Sequence, residues 1–487
     1  MKHYLLGIDV GTTALKVILF SRDGEIVARA VREYQLSTSS PHHVECNPEN
    51  YWESLKSCLQ DVLKDVLPED VRALAISSQG ETLIPVDREG RALRDAIVWL
   101  DDRAQEEAEE IGSRFTPEEM YHTTGQPDVL PNWPACKILW IKRKEPQVFR
   151  DTHKFLLLED YLVLRLTGRA VSDHSLYTSS LLLDITKKVW WGEMLRFVGL
   201  PEENLPELVE SGTQVGRVRS KEVGLSSQTS VVTGGIDQVC GMVGVGNVAP
   251  GIVSETTGGA LAICATTGGP VFDPMRRIPC HCHAIKDSYF LLPWCQTGGM
   301  ALKWLRDTLG YSSYEEMTEE AKGVPPGSDG LLILPHLAGA GSPEFNPKAR
   351  GVFFGVSLST TRAHFIRATM EAIGYMLRQN IEVLEGLGVK VERVYSTGGG
   401  SRSPLWNQIK ADITGKPIIT LSKEETACLG AAILGGLGTG AFSSLQEACK
   451  RMNEEKARYL PRQEELKLYK EAYRRYIELS KALLPLF

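Results

Sequence analysis

Asp9-Val-Gly-Thr-Thr-Ala-Leu-Lys16 is the stretch on which the reading of this chain turns. Strand-like residues Tyr4 to Ile8 precede it and Val17 to Phe20 follow it. The acid, the glycine and two hydroxyls therefore fall at a hairpin tip, with Lys16 three residues past the second threonine. A tight turn between strands favours a residue that tolerates positive φ, and Gly11 is the expected supplier. The main-chain N–H groups of Gly11, Thr12 and Thr13 can then converge on a phosphate, as successive amides do in anion nests. The plainer alternative is a surface hairpin, since glycine and hydroxyl residues are common in turns.

Outward from the hairpin, Glu25 to Ala30 reads as a third strand of a meander turned at Asp23-Gly24. Asn47-Pro48 opens a helix, with asparagine as cap and proline at the first helical position. Its buried face is Trp52, Leu55, Leu59, Val62, Leu63 and Val66. Val71 to Ser77 reads as a central strand ending at Ser78-Gln79-Gly80-Glu81. Functional side chains in α/β folds gather outside the carboxyl ends of such strands. Val231-Val-Thr-Gly-Gly235 is a second strand running into a glycine turn, followed by Asp237-Gln238.

The chain turns glycine-rich near Val239 to Pro250, and the domain boundary is expected there. Two strands, Gly251 to Ser254 and Ala260 to Cys264, are then joined by Glu255-Thr-Thr-Gly-Gly259. This echoes the first hairpin and suggests two similar halves, each offering a turn to a shared ligand. A long helix follows from about Arg362 to Leu387, then a strand at Val391 to Ser396 and a helix capped by Ser403-Pro404. Gln463 to Leu483 is a charged amphipathic helix suited to the surface.

At 487 residues two domains or more are expected. Net charge is −7 without long Lys/Arg runs, which argues against nucleic acid or an anionic membrane as main partner. No secretory leader and no bilayer-spanning segment are expected. Ten scattered cysteines fit a reducing cytoplasm. Cys280-His-Cys-His283 is a conceivable zinc pair, but the spacing is tight and a second pair is missing, so an alternating strand is the better reading. No P-loop occurs, and Gly244-Val-Gly246 lacks a following helix pattern, so neither usual nucleotide fingerprint applies. Gly-x-Ser-x-Gly is absent as well.

With the hairpin, Gly234-Gly-Ile-Asp-Gln238 and Thr397-Gly-Gly-Gly-Ser401 taken together, the chain resembles the FGGY carbohydrate kinases over essentially its whole length. Gly351 to Glu371, GVFFGVSLSTTRAHFIRATME, fits that family's C-terminal signature at each required position. Ile97-Val-Trp99 with Asp102-Arg103, Gly299-Met-Ala-Leu-Lys-Trp-Leu305, and Gly339-Ala-Gly-Ser-Pro343 before Ala349-Arg-Gly351 also match. The other signature is partial: Asn132 stands where a small or aromatic residue belongs, while Lys137-Ile-Leu-Trp140 fits. The resemblance implies an α/β, two-lobed, actin-like (ribonuclease H-like) ATPase fold with a central cleft. Residues 1–244 would form the sugar-binding lobe with the phosphate hairpin, and 245–487 the nucleotide-binding lobe.

The implied reaction is transfer of the γ-phosphoryl of MgATP to a sugar hydroxyl, with closure of the lobes excluding water. An alcohol is a poor nucleophile at neutral pH, so a carboxylate should take its proton. Asp237 fits the family's base position, although an aspartate there could also simply cap the next helix. Asp9 would hold Mg²⁺, through water. Gly11, Thr12, Thr13 and Lys16 would grip the phosphates from one lobe, and Thr257 and Gly258 from the other. Gly299, Gly399, Gly400 and Ser403 fall where the family holds the nucleotide. Gln79, Glu81, Trp99, Asp237 and Gln238 would contact the sugar, unless Trp99 is core.

Acceptor identity divides the motifs. Glycerol kinases have Gln-Arg-Glu where this chain has Gln79-Gly80-Glu81, so the carboxylate is kept and the arginine lost. Xylulokinases have Met-His in place of Gly80-Glu81 and Asn in place of Gln238, yet Cys282-His283-Ala284 before a strand resembles them. Glycine for arginine is expected to open the pocket. A ketopentose, D-xylulose or L-ribulose, is favoured; glycerol, another polyol, a hexose derivative or a sugar acid are the alternatives. A homodimer is among the assemblies the resemblance allows. The rival from another class is a non-catalytic, actin-like ATP-binding sugar sensor, against which Asp9, Asp237 and Glu81 all argue.

Overall fold

The computed structural model describes residues 3–487. The N-terminal meander forms as expected from β1 (Tyr4–Val10), β2 (Ala14–Phe20) and β3 (Ile26–Glu33), with Gly24 at φ 80° in its second turn. Helix α1 (Pro48–Val62) starts where the Glu49 N–H donates to Asn47 Oδ1 at 3.0 Å. It buries Trp52, Leu55, Leu59 and Val62; Leu63 and Val66 lie beyond its end and are only half buried. Next come β4 (Val71–Ser78), α2 (Pro134–Lys144), β5 (Gln214–Arg217), β6 (Ser230–Ile236) and α3 (Asp237–Val245).

The first sheet has the order β5-β6-β4-β1-β2-β3. β4 runs parallel to both β1 and β6, and is buried at every position except Arg72. A strand covered on both faces reads as an unbroken apolar run, as Ala73 to Ile76 does.

The second half supplies β7 (Gly251–Thr257), β8 (Leu261–Thr267), β9 (Cys280–Cys282), β10 (Tyr289–Leu291), α4 (Gly299–Leu309), α5 (Tyr314–Lys322) and α6 (Arg362–Gly386). It continues with β11 (Val391–Thr397), α7 (Pro404–Thr414), β12 (Ile418–Leu421), α8 (Thr426–Gly438), β13 (Glu455–Tyr459) and α9 (Gln463–Leu483). Its sheet runs β9-β10-β8-β7-β11-β12-β13. β7 pairs antiparallel with β8 and parallel with β11, as β1 does with β2 and β4. The short echo between the two Thr/Gly turns is thus a repeat of topology, the duplicated ribonuclease H-like plan of an actin-like fold.

The halves interlock through α8, which packs on α3 and on β1, β4 and β6 of the first sheet. A Cβ on Gly430 would stand 1.8 Å from the Cys240 carbonyl oxygen, so the two helices touch backbone to backbone there. The long signature ends in a bolt rather than in the cleft. The buried Glu371 carboxylate accepts from Gly327 N–H (2.9 Å), Ser328 Oγ (2.8 Å), Arg367 Nε (3.0 Å) and Tyr469 Oη (2.9 Å), which fastens α9 to α6.

The cysteines are free and buried. His281 stacks on Phe290 with ring centroids 5.0 Å apart, inside strand β9, as the alternating-strand reading expects. Among the described residues no cluster of three or more His, Cys, Asp or Glu could hold a metal. No helix among them is long and apolar enough to cross a membrane.

Candidate active site

Asp9 and Asp237 stand on the two strand ends that flank β4. Asp9 is the penultimate residue of β1, and Ser77 Oγ donates to its Oδ1 at 2.9 Å. Asp237 is the first residue of α3, and the Gln238 N–H donates to its Oδ1 at 2.7 Å. Burial, with the charges of Asp9 and Glu81, pushes the Asp237 carboxyl up to about 8, against the pull of that N–H. Burial raises Asp9 too, less the Ser77 hydrogen bond and the attraction of Lys16. Asp237 opens α3, which packs on α8 of the second half, so it stands where the two halves meet. A carboxylate at the junction of two lobes with a raised pKa has the properties of a general base.

The four other expected sugar residues fall around this pair. Gln79 follows β4, is 4% exposed, and neither atom of its amide has a protein partner. Glu81 adopts φ 56°, and Ser179 Oγ donates to its carboxylate. Burial raises the Glu81 pKa, opposed by that hydrogen bond and by Lys137. Gln238 is half buried. Trp99 is half buried rather than core; its Nε1 donates to Thr12 Oγ1 at 2.9 Å. The expectation that Gly80 opens the pocket is corrected. A Cβ there would lie 2.9 Å from Ile236 Cδ1 and 3.5 Å from Ser179 Oγ, so that space is already filled.

The phosphate hairpin differs from expectation in detail. Gly11 is not at positive φ, nor is any residue from Thr12 to Ala14. The turn closes instead by the Gly11 N–H donating to the Ala14 carbonyl at 3.0 Å, while Tyr34 Oη donates to the Gly11 carbonyl. Thr13 is exposed at the tip, with Gly11 and Thr12 partly so. Lys16 lies opposite Asp9 across the β1–β2 ladder and is engaged with Glu425 at 2.8 Å. Burial would lower its pKa, but the hydrogen bond and charge of Glu425, with Asp9, carry it above the usual lysine value.

In the second half, Thr257, Gly258, Gly299, Gly399, Gly400 and Ser403 line one cavity of about 600 Å³. The α5 residues Tyr314 and Thr318 form its far wall. The Gly299 N–H donates to the Gly258 carbonyl at 2.7 Å, and a Cβ on Gly299 would come within 2.6 Å of that oxygen. Gly258 and Gly399 face open space, whereas Gly400 packs on Thr257. The positive φ of the triple glycine belongs to Gly398, at 76°. Ser403 Oγ caps α7 by accepting from the Trp406 N–H at 3.3 Å.

The Thr257 hydroxyl faces inward. Thr257 Oγ1 donates to Glu255 Oε2 at 2.7 Å and accepts from Lys410 Nζ at 2.9 Å. Lys410 and Glu255, 2.6 Å apart and fully buried, form an ion pair beneath the turn. Thr257 can offer a phosphate its main chain only.

With the geometry in place, the comparisons with known proteins decide the family. The model described as "FGGY family of carbohydrate kinases, N-terminal domain" matches residues 4–244, and that of the C-terminal domain matches 255–439. This chain belongs to the FGGY carbohydrate kinases. It is 31% identical to the xylulose kinase of Bacillus subtilis over 97% of this chain and 96% of that protein. It is also 31% identical to the gluconokinase of the same species, over 99% and 96%. The crystal structure of ligand-bound xylulose kinase from Lactobacillus acidophilus superimposes with a TM-score of 0.91 at 27% identity, covering 99% of this chain and 98% of that one.

This FGGY kinase is therefore a phosphotransferase with an alcohol as acceptor, on the two-lobed actin-like fold. Several supporting residues escaped sequence reasoning as members of the site: Ser77, Ser179, Lys410, Glu255 and Glu425. Each acts through a partner between 68 and 409 positions away, and no local spacing signals such contacts.

Proposed function

We propose that this kinase transfers the γ-phosphoryl of MgATP to a hydroxyl of a ketopentose, D-xylulose first and L-ribulose second. Asp237 takes the hydroxyl proton as the phosphoryl group arrives in line. The observation that carries this reading is the placement of the Asp237 carboxyl at the start of α3, where α3 meets α8 of the second half, on the strand end across β4 from Asp9; burial pushes its pKa up to about 8. Gln79, with its unpartnered buried amide, then Glu81, Trp99 and Gln238 bind the remaining hydroxyls. The residue 1–244 lobe carries the acceptor and the hairpin of Gly11, Thr12, Thr13 and Lys16. The residue 245–487 lobe carries adenosine in the cavity of Gly299, Gly399, Gly400 and Ser403, with the main chain of Thr257 and Gly258 at the phosphates.

Asp9 suits Mg²⁺ on the chemistry of its donors. Ser77 engages Oδ1, which leaves Oδ2 available to a ligand. The described residues offer no three-residue metal cluster, and Mg²⁺ is commonly held by one or two carboxylates plus substrate phosphates. When bound, the ion neutralises phosphate charge. Asp9 would hold the ion through water, Lys16 and the Thr12 and Thr13 amides would hold the phosphates, and the closed lobes would exclude water.

The ketopentose preference draws support from the full-length likeness to proteins named xylulose kinase and from charge. A sugar acid would add an anion beside Glu81, Asp9 and Asp237. The cation buried below Glu81, Lys137, is spent on main-chain carbonyls. Purified protein with MgATP and a panel of D-xylulose, L-ribulose, D-gluconate, ribitol and glycerol tests the reading. ADP release that depends on D-xylulose or L-ribulose is expected; preference for D-gluconate would overturn the acceptor assignment.

A further inference from the structure

Lys137 belongs to the partly matched family signature, yet its Nζ bonds only main-chain carbonyls. It stands on the first turn of α2 with no exposed surface. Its Nζ donates to the carbonyl oxygens of Glu81 and Val98, each at 2.9 Å, and to that of Ile97 at 3.5 Å. No carboxylate lies in direct contact with it. Burial pushes its pKa down, and Arg103 pushes the same way; Glu81, Asp101 and Cys136 pull it up. Leaving an ammonium in such a place is costly, and packing alone would be served by an apolar side chain.

The carbonyls it gathers belong to the two segments that form the acceptor pocket. Glu81 sits at φ 56°, a conformation residues with side chains rarely adopt, and its own carbonyl is the one Lys137 holds. Val98 precedes Trp99, whose N–H donates to Thr82 Oγ1 at 3.2 Å, so the segments are stitched a second time. The same turn of α2 reaches the third wall. The Ala135 N–H donates to the Ser180 carbonyl at 3.0 Å, next to Ser179, whose hydroxyl holds the Glu81 carboxylate.

We propose that Lys137 is a positioning residue that sets acceptor recognition: its ammonium holds the Glu81 and Val98 carbonyls side by side and thereby fixes the Glu81 carboxylate and the Trp99 indole at the sugar. The inference rests on the assignment of Glu81 and Trp99 to the acceptor pocket. Without the ammonium, Glu81 relaxes out of the left-handed region and its carboxylate leaves Ser179. The nucleotide cavity, built by other elements, is untouched.

The test pairs kinetics with structure. Lys137→Met keeps the bulk and removes the donors; Lys137→Gln keeps two donors without charge and serves if the first variant does not fold. With D-xylulose, or the best acceptor of the panel, Lys137→Met should raise the acceptor KM at least about tenfold while the ATP KM stays within about twofold, because hydrogen bonds to a charged group are among the stronger ones. Lys137→Gln should fall between. In the crystal structure of either variant, Glu81 should have left positive φ. An unchanged acceptor KM, or equal losses for acceptor and ATP with Glu81 still in place, would overturn the role. Glu81→Gln separates the two claims. If it leaves the acceptor KM unchanged, the pocket assignment fails; if it raises that KM and neither Lys137 variant does, only the Lys137 role fails.

Discussion

The indole N–H of Trp99 donates to the Thr12 hydroxyl at 2.9 Å. The wall of the acceptor pocket is thereby tied to the tip of the phosphate hairpin. Trp99→Phe removes the donor and Thr12→Val the acceptor. Each should lower kcat/KM, and the double variant should lose less than the sum, with a coupling of about 0.5–1.5 kcal/mol. Strict additivity across the four proteins would mean that the bond is incidental.

Lys410 and Glu255 make a buried pair whose worth lies in its completeness. Lys410→Met alone strands a carboxylate and should cost about 3–5 kcal/mol in urea unfolding. Lys410→Met with Glu255→Leu should recover most of that loss, yet leave the ATP KM raised because Thr257 has lost both hydroxyl partners. Full recovery of the ATP KM in the double variant would show that the pair serves folding alone.

Lys16 must exchange Glu425 for a phosphate if it is to act on the nucleotide. Glu425→Gln removes the competing charge. The ATP KM should fall by about two- to fivefold, the scale of a partly exposed ion pair. A raised ATP KM would place Glu425, rather than Lys16, on the nucleotide's side of the balance.

Asp237 sets the pH dependence. Its carboxyl moves from 3.8 to about 8 on folding, so kcat/KM for the acceptor should climb with pH and level off above about 8. The stability consequence has the opposite sense. A pKa raised in the native state contributes stability that is complete below 3.8 and is lost as pH rises through about 8. Asp237→Asn, which never ionises, should therefore melt higher than the native protein at pH 9, with the gap closing toward pH 4. Parallel melting curves at both pH values would contradict the shift.

Much of this was legible in the sequence where the signal is local. The meander, the Asn47 cap and the strand before Gln79 each rest on residues a few positions apart and form as read, whereas Glu255 to Thr257, read as part of the second Thr/Gly turn, extend strand β7. What was not legible depends on distance or on orientation. Gly11 suggested a positive-φ turn, yet the hairpin closes without one, because Tyr34 and the Ala14 carbonyl satisfy the main chain. The inward turn of the Thr257 hydroxyl depends on Lys410, 153 positions on. Gly80 suggested open space that Ile236 fills. The return of α8 onto the first sheet joins segments more than four hundred residues apart, and its evenly apolar sequence gives no face to assign.

The rate of phosphoryl transfer by Asp237→Ala, measured in a single turnover with MgATP and D-xylulose, tests the central claim most directly. Loss of about 10²–10⁴ in rate, with ATP affinity within about threefold of the native protein, is the expected result for removal of a general base. Transfer at the native rate would show that another group accepts the proton, and the account of the cleft would fall with it.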